Sequence, residues 1–268
     1  MAKKEMAAVA ESGIQPLELR YQPMLGTFSP GVIGYRTKTV VYSLDLGTLT
    51  EPDYAYAVDS GNETGIRLSE WNISEAIRHL ELMKKEGLGD LFIMARCTAS
   101  FANTPDAYDR VKRLITAGKL ENPANLWLEF PQSVLYAAEE NGRQTMLDLK
   151  TLGVKTILSG CGAADCPLSK MMEIPPDYVL LEPGTTTLVH DRNKPEVLAK
   201  LCQYLKSMNL KVCADGIEND EQIRDLVRMD CQGVIAADTY HGTHDFTDGD
   251  LTLEEVLAHR EEGEEDGT

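Results

Sequence analysis

No stretch of this chain approaches the ~20 consecutive apolar residues of a membrane span. Met1 to Ser12 also lacks the apolar core of a signal peptide, so a cytoplasmic protein with no membrane partner is expected. Basic residues are scarce: 26 Lys and Arg stand against 43 Asp and Glu, a formal net charge of −17. Such a field repels phosphates, so nucleic acid is not an expected partner either. Neither G-x-G-x-x-G nor a P-loop occurs. No linker rich in Pro, Gly or Ser and no internal repeat divides the 268 residues, which are long enough for one large domain.

What is present is ordinary globular composition, 43% hydrophobic and 26% charged. Residues 1–13 read as a flexible lead-in, 14–262 as the folded domain and 263–268 as an acidic tail, the acid-rich run from Glu254 to Asp266 being solvated. The six cysteines, Cys97, Cys161, Cys166, Cys202, Cys213 and Cys231, lie mostly in apolar contexts and read as reduced core thiols. Cys161 and Cys166 flank a loop and are the two that could be reactive.

Leu17–Met24 and Val32–Tyr42 read as strands joined by the turn Gly26–Gly31, an antiparallel hairpin. Leu46 to Gly65 is loop-like, and Leu68–Lys85 has helical spacing up to the stop at Gly87. Thereafter strands are expected at Leu91–Arg96, Leu126–Phe130, Thr156–Ser159, Tyr178–Leu181, Lys211–Ala214 and Gly233–Ala236. The helices between and after them are expected from Pro105 to Ala117, Ser133 to Leu149 with a break at Asn141-Gly142, Pro195 to Met208, Asp220 to Met229 and Leu253 to Arg260. Eight strands alternating with helices point to an α/β fold, a TIM-like (β/α)8 barrel, with an open doubly wound sheet as the alternative.

Within Lys150 to Glu182, the residues Leu152, Gly153, Val154, Gly162, Leu168, Pro175, Asp177 and Tyr178 stand in the spacing of the central block of EAL domains. Tyr21-Gln22-Pro23, Glu63-Thr64-Gly65, Leu128-Glu129, Ser133-Val134-Leu135, Ala214 to Glu218 and Gln232-Gly233 follow that family's remaining motifs in order. The chain thus resembles EAL domains, the cyclic di-GMP phosphodiesterases, from about Leu17 to Ala236. The resemblance implies a TIM-like barrel with an antiparallel first strand. It also implies Mg2+ or Mn2+ held by carboxylates at strand ends, since hard cations prefer oxygen ligands and lower the pKa of an attacking water.

Carried across residue by residue, that chemistry is missing. The glutamate of the E-A-L tripeptide falls on Arg36, followed by Thr37 and Lys38, and a dinucleotide-binding arginine falls on Val40. The metal-binding asparagine falls on Arg96, the aspartate pair on Ser159 and Gly160, the lysine on Leu180, and the second glutamate of E-I-T-E on Gln132. Glu129, Asp215, Glu218 and Gln232 keep their character, and Gln22 and Gln232 are candidate ligand contacts. The expectation is a vestigial site without cofactor or metal, in which Arg36, Arg96 or both fill the metal volume and pair with Glu129, and in addition with Asp215 or Glu218. The leading functional expectation is a catalytically inactive regulatory module acting through an unidentified protein partner. Homodimerisation near Gly160–Pro167 fits, and cyclic di-GMP binding is expected to be weak or absent. A non-hydrolysing cyclic di-GMP receptor is the alternative. A metal-dependent phosphodiesterase, or an enzyme using Cys161 or the His241 loop, comes last. The segment with His241, His244, Asp245 and Asp248 could bind metal but reads more simply as a polar loop. His79 and His190 are expected to be exposed, and Asp177 and Glu182 to be solvated strand ends.

Overall fold

A computed structural model describes residues 17–29, 31–43, 45–50, 53–54, 63–136, 141–163, 168–171, 176–190, 195–244 and 250–258. The expected lead-in and acidic tail lie outside them. Strands β1 (Leu17–Gly26) and β2 (Val32–Ser43) form the expected hairpin, with Gln22 opposite Arg36. Its turn is closed by Gly26 N–H donating to the carbonyl of Gly31, which takes a φ of 93° that suits glycine. A short strand β3 (Gly47–Leu49) then folds back on β2. Six parallel strands follow: β4 (Phe92–Arg96), β5 (Leu126–Pro131), β6 (Lys155–Cys161), β7 (Tyr178–Leu181), β8 (Lys211–Ile217) and β9 (Gly233–Ala236). The order β1-β9-β8-β7-β6-β5-β4-β2 closes through the β1–β2 pairing into an eight-stranded barrel, and β1 runs antiparallel to both its neighbours. The open doubly wound alternative is thereby excluded.

Nine helices lie between or after the strands among the described residues: α1 (Glu63–Lys85), α2 (Ala99–Ala102), α3 (Ala107–Gly118), α4 (Asn141–Thr151), α5 (Leu168–Met171), α6 (Pro183–Thr186), α7 (Pro195–Ser207), α8 (Asp220–Arg228) and α9 (Leu253–Ala258). None is long and apolar enough to cross a membrane. Several expectations need correction. Helix α1 begins five residues earlier than Leu68, and β3 occupies what read as loop. The turn after β4 starts a helix at Ala99, where the Thr98 side chain accepts from Phe101 N–H. Helix α4 runs unbroken through Asn141-Gly142, and Gln132–Leu135 forms a 3-10 turn of its own. A side chain at Gly142 would collide with Asn103, so glycine permits that close approach. Glu254 and Glu255 sit in the first turn of α9, where Glu255 and Thr252 cap each other.

Alternation along the strands divides the core in two. One face packs beneath the helices. The other fills the barrel with Met24, Phe92, Met94, Trp127, Ile157, Leu180, Cys213 and Ile235. At its floor Phe92 stacks on Trp127 at 3.9 Å and Trp127 lies 4.1 Å from Tyr178. The Lys211 ammonium stands 5.1 Å from the Tyr178 ring. This plug leaves polar residues only the other end, where the parallel strands terminate.

Candidate functional site

The barrel mouth is organised by β2, β4 and β5, whose register sets Arg36 beside Met94 and Arg96 beside Glu129. Glu129 is fully buried, and a lone carboxylate there would carry a large desolvation cost. Arg36 answers it with two bonds: Nε donates to Oε2 at 2.8 Å and Nη2 to Oε1 at 2.6 Å. Its remaining nitrogen, Nη1, donates to Asp215 Oδ2 at 2.7 Å. Arg96 is further off, with Nη1 3.5 Å from Glu129 Oε1. Burial pushes the Glu129 carboxyl up, but the Arg36 and Arg96 charges, the Arg36 bonds and a bond from Ser159 outweigh it and bring the pKa down to about 2. One guanidinium therefore bridges two carboxylates, from β5 and β8, that are three strands apart around the barrel.

Around this bridge, Ser159 is buried and its hydroxyl also reaches the Phe130 carbonyl at 3.3 Å. Gly160 takes a φ of 77°, and a Cβ there would lie 2.9 Å from Gln132 Oε1. Leu180 points into the apolar plug. Gln22 donates through Nε2 to the Ala236 carbonyl at 3.1 Å. Lys38 pairs with Asp250 at 2.8 Å on the rim. The half-buried Glu218 is fixed by its backbone: its N–H donates to Gln222 at 2.6 Å and its carbonyl accepts from His241 N–H at 2.9 Å. Val40 lies further along β2, opposite Glu18.

Gln232 does not belong to this group. It precedes β9 at the floor, its N–H on the Val212 carbonyl and its side chain on Asp230. It is thus at the wrong end of a parallel strand to share a ligand with Gln22. His79 is also corrected: it is buried on the inward side of α1, bonded to the Tyr21 hydroxyl and to Arg78. Because Arg78 can only donate, Nε2 is the acceptor, so Nδ1 carries the proton and donates to Tyr21. Asp177 is no solvated end either, since it accepts from Thr156 N–H at 2.9 Å and so ties β7 to β6. Glu182 is half-buried at the C-terminal end of β7 and accepts from Thr185. The side chain of His190 lies outside the described residues.

The Mg2+ or Mn2+ implied by the resemblance does not fit these side chains. Two ligand positions carry cations, and a guanidinium stands between the carboxylates that remain. Among the described residues no three His, Cys, Asp or Glu side chains come together as a metal site. Asp245 and Asp248 fall outside those residues, while His241 Nδ1 lies 2.7 Å from the Thr239 carbonyl. The same loop is held by a residue that sequence reasoning passed over. Asp220 accepts from the Tyr240 hydroxyl and from Thr243 N–H and Oγ1, bonds that lower its pKa to about 2. Its only advance signal was its place behind the helix-capping Asn219.

A family model described as EAL domain matches residues 10–235. The bifunctional diguanylate cyclase/cyclic di-GMP phosphodiesterase MucR of Pseudomonas aeruginosa is 23% identical over 221 residues, which cover 81% of this chain and 32% of that protein. An uncharacterized protein of Azorhizobium caulinodans is 22% identical over 220 residues, 80% of this chain and 30% of its own length. The chain spans about a third of the length of these curated relatives. Among solved structures, the MucR phosphodiesterase in complex with cyclic di-GMP superposes with a TM-score of 0.78 at 20% identity, covering 95% of this chain and 98% of that one. The EAL enzyme Bd1971, bound to cAMP and cyclic di-GMP, gives 0.80 at 14% identity over 96% of this chain and 68% of that one.

Proposed function

The chain belongs to the EAL domain family, and on that premise we propose that it is a non-catalytic member, a regulatory module that acts in cyclic di-GMP signalling by binding a protein partner. The observation that carries this reading is the Arg36 guanidinium bridging Glu129 and Asp215. A phosphodiester hydrolase of this family needs divalent cations to polarise the phosphate and activate water. Here the surviving carboxylates are already neutralised by a protein cation, and Leu180 offers no proton where the family has a lysine. The test is a cyclic di-GMP hydrolysis assay with Mg2+ or Mn2+, run beside thermal melting. No turnover and no metal-dependent rise in melting temperature are expected. Metal-dependent turnover abolished by Glu129→Gln would overturn the proposal.

A second reading, a cyclic di-GMP receptor without hydrolysis, is favoured by Gln22, whose buried Oε1 has no hydrogen-bond partner at the mouth. Against it stands Val40, which cannot make the charge-assisted phosphate contact of an arginine. Calorimetry separates the two readings. Weak or absent binding supports the interaction module, and sub-micromolar binding supports the receptor. Sedimentation of the purified chain tests whether the partner is a second copy.

A further inference from the structure

The five described cysteines, Cys161 among them, are all buried, so none of these thiols is accessible. Unused polar chemistry lies instead at the end of the barrel away from the mouth. A cavity of about 320 Å³ opens there, near the N-terminal ends of β2 and β4, between the α1–β4 loop and helix α9. Its walls are apolar: Val32, Leu88, Leu91 and Val256. Two polar side chains join them. Tyr35 lines the cavity and is only 2% exposed, yet its hydroxyl makes no hydrogen bond to a described residue and is not sealed off. That hydroxyl therefore opens onto the cavity its own ring lines. Burial alone pushes its pKa up to about 12, so it keeps its proton and can donate as well as accept. Asp90 lines the same cavity from its exposed side, with no ion pair to a described residue. Lys84, in the last turn of α1, pairs with Glu121 instead.

The walls are fixed without a ligand. Gly87 ends α1 at a φ of 82°, with its N–H on the Lys84 carbonyl at 3.2 Å and Leu88 N–H on the Met83 carbonyl at 2.8 Å. Asn125 donates to the Gly89 carbonyl at 2.6 Å and ties the loop to the lead-in of β5. Tyr35 is paired with Ile93 across β2 and β4, and its ring meets Tyr21 edge to face at 6.2 Å. Binding into such a site orders little that is not already ordered.

We propose that this cavity binds a small organic amine, with its apolar body between Val32, Leu88, Leu91 and Val256, its protonated nitrogen on Asp90 and a hydrogen-bonding group on Tyr35. The volume lies at the low end of the roughly 300 to 1,000 Å³ of small-molecule pockets, which suits one ring with a short arm and not a dinucleotide. Apolar walls favour an apolar body, and a ligand hydrogen bond would offset the desolvation of the Tyr35 hydroxyl. A carboxylate at the rim of a chain of net charge −17 attracts a cation and repels an anion. The site stands independently of the mouth, although Tyr35 immediately precedes Arg36 on β2.

Tyramine is a suitable probe, because a phenol and an ammonium stand at opposite ends of one small apolar body. In the full chain, the backbone amide resonances of Gly87, Leu88 and Leu91 are expected to shift saturably, with a dissociation constant of about 1 mM for a ligand of this size. Asp90→Asn and Tyr35→Phe should each weaken binding about fivefold, in proteins whose remaining amide spectra are unchanged. 3-(4-Hydroxyphenyl)propionate, which carries a carboxylate in place of the ammonium, should give no saturable shift. Absence of saturable shifts at these amides with tyramine at about 10 mM would overturn the proposal. So would equal binding to Asp90→Asn, which would make the amine a diffuse counterion of an acidic chain.

Discussion

Arg36 and Glu129 meet edge to edge, two parallel bonds of 2.8 and 2.6 Å joining a guanidinium only 11% exposed to a carboxylate with no exposure at all. This fork-on-fork geometry is available to arginine and not to lysine. Asp215 supplies a second anion to the same cation at 2.7 Å. A single side chain thus offsets the two buried or half-buried charges that close the mouth.

Removing the cation should therefore cost more than removing the pair. Arg36→Met leaves Glu129 buried and uncompensated, and urea denaturation should show a loss of about 3 to 5 kcal/mol. Arg36→Met combined with Glu129→Gln should recover roughly half of that loss. A single-variant loss below about 1 kcal/mol would show that the bridge contributes little.

Arg96 should behave differently. At 3.5 Å from Glu129 and 29% exposed, it sits at the edge of the bridge and in contact with solvent. Arg96→Ala should cost about 1 kcal/mol or less in the same assay. A loss as large as that of Arg36→Met would show that the two arginines share the buried charge equally.

The mouth was legible in the sequence as far as strand alternation reaches. Arg36 and Glu129 fall on inward positions of strands whose neighbours were correctly ordered, so their meeting needed only barrel closure. Gln232 was misplaced for another reason: it precedes the expected strand Gly233–Ala236, and the N-terminal end of a parallel barrel strand lies away from the mouth, but the motif match was given more weight than that direction. Strand β3 is three residues with no apolar alternation and exists because the twelve-residue β2 extends beyond its barrel partners. His79 flanks the buried stripe of Ile73, Ala76, Ile77, Leu80 and Met83 on α1. Helical period alone does not say whether a polar residue at the stripe's edge finds a partner, and here it does in Tyr21.

Its burial makes His79 an acid-sensitive point. Burial first, and then the Arg78 charge, lower its pKa from 6.5 to about 4, with Glu75 opposing. The unfolded chain therefore takes up the proton first. The stabilisation is fully present above pH 6.5 and is lost as pH falls toward 4, by about 3 kcal/mol. Glu129 loses its contribution in a lower window, from 4.5 down toward 2. His79→Gln should flatten the upper window and leave the lower one, as read from urea midpoints at stepped pH. An unchanged slope between pH 6.5 and 4 would place the titrating group elsewhere.

Gly34 couples the floor of the barrel to its mouth. It faces Phe92 across the β2–β4 pairing, and a Cβ added there would lie 2.5 Å from the ring. The ring cannot retreat, because Trp127 stacks on its other side at 3.9 Å and Tyr178 and Lys211 continue the column. Gly34→Ala must instead displace β2, a strain that in packed cores costs about 1 to 3 kcal/mol. Arg36 is two residues along the same strand, and its paired bonds to Glu129 tolerate little outward movement. The variant should therefore show two effects. Tryptophan emission should change as the Phe92–Trp127 stack is disturbed, and the added cost of Arg36→Met should be smaller in Gly34→Ala than in wild type. Phe92→Leu placed with Gly34→Ala should relieve the collision and restore part of the Arg36 coupling. If Arg36→Met costs the same in both backgrounds, the floor and the mouth are mechanically independent.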